Sequence, residues 1–240
     1  MIELAWDLVP VLLGVVASPL AVIALIAVLL SRNAKANGLM YLIGWACAVV
    51  IAVLFAYWLL GRIDLKVKAE PAPWVAVARL AAGVLIGAGA VWTYRRSKTK
   101  IAVMATASTP EDVVEAAPQL PGWLNSVETF TAPRSLSLGL GIFLLNPINV
   151  SCAFVAALDI RLGSLQAPAP AVFLAAFILL SIIPMAIPVY LVLTKGEKAE
   201  PALASIRTWI AKHNGTLSAV FLVLVAFMQI QKGLAALPWI

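Results

Sequence analysis

From Met40 to Leu60 no side chain carries a charge, and the same is true from Pro10 to Leu30, Leu136 to Leu158 and Ala167 to Thr194. An uncharged apolar run of about 20 residues crosses the roughly 30 Å hydrocarbon core of a bilayer as a helix. Lipid also rejects any span whose backbone polar groups are unpaired. Four such runs commit the chain to an all-α integral membrane fold. Composition agrees, with 63% hydrophobic and 12% charged residues and a mean hydropathy of +1.01, well outside the soluble range. Two more segments complete six spans. Trp74 to Tyr94 holds Arg79, expected to snorkel toward the near end, and Gly215 to Gln231 holds Ser218 and Gln229, expected to face protein rather than lipid.

The N-terminal stretch MIELAWDLVP carries Glu3 and Asp7 but no basic side chain. It lacks the positive region of a secretory signal peptide, so the first span is expected to stay. Orientation follows from Lys and Arg in the connections. Arg32, Lys35, Arg95, Arg96, Lys98, Lys100, Arg134, Lys195, Lys198, Arg207 and Lys212 fall on one side of a six-span chain, and Arg62, Lys66, Lys68, Arg161 and Lys232 on the other. Eleven against five predicts a multi-pass plasma (inner) membrane protein with both termini non-cytoplasmic. The net charge of +6 is mostly this asymmetry, and without a dense basic domain it does not point to nucleic acid.

The connection 95–134 divides the spans into two sets of three, 1–94 and 135–240. An odd number per set inserts the second upside down relative to the first, which predicts two inverted three-helix repeats. The first span of each set is interrupted at a proline. VVASPLAVIAL, Val15 to Leu25, breaks at Ser18 and Pro19; GIFLLNPINVS, Gly141 to Ser151, breaks at Asn146 and Pro147, with Asn149 close behind. Each break has a glycine upstream, Gly14 or Gly141, and a basic residue after the following apolar run, Arg32 or Arg161.

Proline lacks an N–H and clashes with the carbonyl four residues back, here those of Val15 and Phe143. Unwound backbone at membrane depth has to be buried in protein or line a wet cavity. Half-helix ends exposed there carry partial charge and hold polar groups. Two readings stay open: Ser and Asn repair the freed backbone groups, or Ser18, Pro19, Asn146, Pro147, Asn149, Ser151 and Gln229 form a substrate-binding site.

Other features carry less. Pro184 and Pro188 predict a bent fifth span, and Gly83, Gly87 and Gly89 a small-residue packing face. His213 is a lone surface or capping histidine at the start of span six. Two amphipathic stretches, Trp123 to Phe130 and Leu203 to Ile210, read as helices in the inner interface. Lys98 to Pro121 reads as a largely mobile loop. No phosphate-binding glycine loop occurs, and no enzymatic activity, cofactor or metal is expected. Cys47 and Cys152 form no CxxC pair and read as small buried apolar residues. Asp64 and Asp159 sit at span ends, so cation or proton exchange through a deep carboxylate is disfavoured.

The ASPLAV break, RNAKANGLMYLIGW leading into span two, LNPIN opening the second set and IRTWIAKHN before the last span together resemble the GAP or Sap-like glycolipid-addressing proteins of actinobacteria, similar in turn to the LysE exporter superfamily. The resemblance implies six spans in two inverted halves and participation in export of envelope glycolipids. Membrane lipids, glycolipid cargo, and a larger lipid exporter or a second copy of the chain are the implied partners. The similarity to LysE allows a small-solute, amino-acid-like exporter as an alternative, and a non-transporting scaffold of a larger lipid exporter is a third reading.

The charge asymmetry makes a direct prediction. A reporter fused after Ile240 that works only outside the cytoplasm is expected to be active, and activity of a cytoplasm-only reporter there would reverse the orientation.

Overall fold

The computed structural model describes residues 2–16, 18–63, 66–67, 70–71, 73–106, 130–163 and 165–237. The order is α1 Ile2–Val16, α2 Pro19–Leu29, α3 Ala34–Leu60, a two-residue antiparallel ribbon of β1 Lys66–Val67 and β2 Glu70–Pro71, and α4 Pro73–Thr106. Then come α5 Ala132–Leu144, α6 Pro147–Leu162, α7 Ala169–Lys195, a 3-10 turn Gly196–Ala199, and α8 Glu200–Ala235. Among the described residues, three helical segments are long and apolar enough to cross a membrane, Ala34–Leu60, Trp74–Trp92 and Ala169–Lys195. The pair α5 and α6, bent by 66° at its break, makes a fourth. This is a multi-pass, all-helical membrane protein.

The expected interruptions are present at both prolines. Ser18 and Asn146 precede them with nearly the same backbone, φ −79°, ψ 97° and φ −89°, ψ 108°, the extended conformation that a following proline imposes. Each proline then occupies the first turn of a new helix, where no N–H is needed. The carbonyls of Ser18 and Asn146 accept the first bonds of those helices, from the Val22 and Val150 N–H groups at 3.4 and 3.1 Å. The Phe143 carbonyl is taken up by the Asn146 N–H at 3.2 Å.

The half-helices that follow the breaks form the centre. Every described side chain from Ala21 to Leu29 of α2 is buried, as is every one from Val155 to Ile160 of α6. Helices apolar all round belong in such positions. Tyr41 of α3 donates to the Ala21 carbonyl at 2.8 Å, and Trp45 donates through Nε1 to the Ser181 carbonyl at 3.1 Å while its ring meets Phe143 edge-on at 5.1 Å. Around this centre the outer faces are apolar too, for example Ile51, Leu54 and Phe55 on α3 and Leu179, Ile183 and Ile187 on α7. Those faces suit lipid.

Helix pairs are fused where glycine removes the side chain. A Cβ on Gly44 would run into the Leu136 carbonyl, and one on Gly139 into the Tyr41 carbonyl, so α3 and α5 touch backbone to backbone. The Gly83 face expected for packing is used as well: α4 meets Ala226 and Ile230 of α8 there, and Gly233 returns the contact against Leu80.

Several expectations need correction. Lys98 to Thr106 is helical, not loop, because Ala, Lys, Ile and Met are good helix formers and no Pro or Gly intervenes. Leu203 to Ile210 is not a separate interfacial helix; it is the start of α8, with Leu203 buried. Cys47 is exposed on the apolar surface, since a thiol costs little against lipid. Trp123 to Thr129, Asp64 and the side chain of His213 lie outside the described residues.

Gly139→Val is expected to force α3 and α5 apart at a cost of about 1–3 kcal/mol. Thermal unfolding in detergent checks it, with Leu54→Val on the exposed outer face of α3 as the comparison.

Candidate functional site

α1 and α6 run antiparallel side by side. Leu4 lies against Gly163, Lys232 bridges Asp7 and Asp159, and a Cβ on Gly14 would meet Cys152 Sγ at 2.8 Å. One step forward along α1 therefore matches one step back along α6. Gly14 lies four residues before Ser18, and Cys152 three residues after Asn149, so this α1–α6 crossing ends near both breaks. Both α2 and α6 start there, with the positive N-terminal ends of their dipoles.

The sequence-predicted residues divide sharply at this crossing. Asn146 is a capping residue: its Oδ1 accepts from the Ile148 N–H at 3.0 Å, so repair explains it. Ser18 makes no such cap, and its Oγ is buried with no hydrogen-bond partner among the described residues. Asn149 is fully buried with both Oδ1 and Nδ2 unpartnered among them. Pro147 is exposed and Ser151 half-buried, and the side chain of Pro19 lies outside the described residues. Buried polar atoms are nearly always bonded, and these three have no partner among the described residues.

Gln229 sits elsewhere. Its Oε1 accepts from Arg79 Nη1 at 2.9 Å, and Arg79 Nη2 reaches Asp159 Oδ1 at 2.7 Å. Lys232 joins the same cluster, 2.7 Å from Asp7 Oδ2 and 3.5 Å from Asp159 Oδ2. Arg79 does not snorkel, because its side chain is only 8% exposed and that of Asp159 only 2%. Asp159 does sit at the end of its span, three residues before the end of α6, but as a buried carboxylate beside two cations. At the same end of α6, Arg161 donates to the Tyr57 carbonyl at 3.0 Å and lies 3.6 Å from the centre of that ring.

Beyond the far end of α2, a cleft of about 690 Å³ opens between the α2–α3 corner and the α7–α8 turn. Arg32, Lys35 and Glu200 line it with Leu29, Val192 and Leu203. Among the described residues no group of three or more His, Cys, Asp or Glu is gathered for a metal.

A family model described as Sap, sulfolipid-1-addressing protein, matches residues 8–235. The chain belongs to that family. No curated protein and no solved structure matches it. The match spans both breaks, the α2–α3 corner, and Arg79, Asp159, Gln229 and Lys232 of the cluster, with Asp7 one residue outside it.

Arg79, Asp159, Lys232 and Asp7 were absent from the sequence-based site of this Sap family member. A signal was available: a guanidinium inside an apolar span needs a partner, and Asp7, Asp159, Gln229 and Lys232 all fall at the same predicted side of the membrane.

The two asparagines should behave oppositely on substitution. Asn146→Leu removes a cap and is expected to cost roughly 0.5–2 kcal/mol. Asn149→Leu removes unpartnered buried atoms at similar volume and is expected to leave stability unchanged or higher. Melting temperatures of both variants in detergent, beside wild type, check the pair.

Proposed function

We propose that this Sap family member takes part in export of cell-envelope glycolipids across the inner membrane, with the polar headgroup held between Ser18 and Asn149 at the paired breaks. The observation that carries the reading is the set of buried, unpartnered polar atoms there, at the start of two half-helices whose dipoles favour a polar or anionic group. Broken helices meeting in this way are how inverted-repeat carriers build their sites. The matched elements support such a repeat: a broken pair, a 27-residue helix and a long helix of 34 residues, then a broken pair, a 27-residue helix and one of 36. Descent from LysE-type exporters would account for it.

The close approach of Gly14 to Cys152 leaves no way for acyl chains through the crossing. The tails stay against the lipid-facing surface while the headgroup passes. With both termini outside, the cleft beside Arg32 and Lys35 faces the cytoplasm, where a headgroup enters. The protein performs no covalent chemistry, and any energy from ATP comes from another chain, a larger lipid exporter.

Lipidomics of the envelope and medium in a deletion strain tests this. Wild type and Cys152→Ser are expected to restore surface glycolipid. Asn149→Leu and Ser18→Ala are expected to lower it by about tenfold or more, the equivalent of roughly 1.4 kcal/mol of lost binding, at undiminished protein abundance. An unchanged lipid profile with intracellular build-up of an amino acid would replace the reading with the small-solute one. Loss of export in proportion to loss of folded protein would remove the binding site.

A further inference from the structure

The Arg79 cluster has its charges sorted by helix pair. Both cations and Gln229 belong to α4 and α8, which are fused through Gly83 and Gly233. Both acids belong to α1 and α6, which touch through Gly14 and Gly163. One small rotation of the first pair against the second would break every ionic contact at once. It would also leave a guanidinium only 8% exposed without a counter-charge, which a low-dielectric site does not tolerate.

We propose that Arg79, Gln229 and Lys232 form an oxyanion site that the Asp159 carboxylate fills in this conformation, and that a tetrahedral oxyanion on the departing cargo, a sulfate or phosphate ester, takes Asp159's place as the pairs separate. One donor of the set is left unmet by Asp159 as it sits. Arg79 Nη2 holds Oδ1 at 2.7 Å, Lys232 Nζ lies 3.5 Å from Oδ2, and Gln229 Nε2 is buried with no partner among the described residues. Seated as it is, the carboxylate does not reach Gln229 Nε2; a sulfate or phosphate ester brings a third terminal oxygen. Charge-assisted bonds to a planar guanidinium suit such groups. This assignment rests on the export reading for its cargo, but the site can be tested without any cargo.

The test is thermal unfolding of purified protein in detergent, in sodium sulfate against sodium chloride at equal ionic strength. Sulfate stabilises proteins in general, so each shift is compared with that of wild type, whose own carboxylate occupies the site. Asp159→Asn is expected to gain an extra rise of roughly 5–10 °C at saturating sulfate. The neutral double variant Arg79→Gln/Asp159→Asn is expected to lose that gain. If Asp159→Asn does not accumulate in chloride, recovery of folded protein in sulfate beyond that of Gly139→Val, a destabilised variant away from the cluster, is the same result by another readout. Submicellar octyl sulfate separates the sources: a shift at lower concentration than inorganic sulfate assigns a lipid-borne group, and the reverse order a free oxyanion.

A sulfate response in Asp159→Asn no larger than in wild type or the double variant, with no recovery in sulfate, overturns the site. That outcome leaves the headgroup reading at Ser18 and Asn149 standing. An unchanged lipid profile in the deletion strain would overturn that reading and leave the sulfate shift in place.

Discussion

Backbone groups at membrane depth have no water to turn to, and the architecture follows from that constraint at two places. Pro19 and Pro147 each open a helix, so the chain has to shelter the broken ladder inside protein. It does so by placing α2 and the second half of α6 at the centre, with longer helices packed around them. The freed groups are met locally, by the N–H of Asn146 and the side chain of the same residue at one break, and by the Ser18 carbonyl at the other. What is left over is side-chain polarity on Ser18 and Asn149 that the fold itself does not consume.

Charge is handled by the same logic at the end of α6. Removing one partner from a buried ion pair costs about 3–5 kcal/mol, while the intact pair adds little to stability. The Arg79–Asp159 pair, 2.7 Å long, therefore contributes less to holding the fold than to fixing one arrangement of it. Glycine contacts provide the cohesion on either side, and the ionic cluster spans the seam between them.

Much of this could be read from the residues, and the exceptions have physical causes. The breaks were legible because proline, amides and hydroxyls have no business in an apolar run unless the backbone is sheltered. Gln229 was legible as inward-facing by the same cost argument. The separate roles of Asn146 and Asn149 were not, because three positions along a half-helix decide whether an amide reaches a backbone N–H or points away from it. Arg79 looked like a residue able to snorkel because the near end of its span was close. Its carboxylate partner lies 80 positions away in sequence, and only the packing of α4 against α6 and α8 brings the two together. The loop reading of Lys98 to Pro121 rests on its mixture of charge, Ala and Pro, but the proline and the acids come only after Thr106, and up to there α4 simply continues.

The unbroken course of α8 has a mechanical meaning. At about 1.5 Å per residue, its 36 residues make a rod of roughly 54 Å. Leu203 and Glu200, near one end, form part of the cleft wall, and Gln229 and Lys232 ride near the other. α4 holds this rod at Ala226, Ile230 and Gly233, the end that carries Gln229 and Lys232. One continuous element therefore ties the wall of the cleft to the ionic cluster, with no loop between them to absorb a displacement.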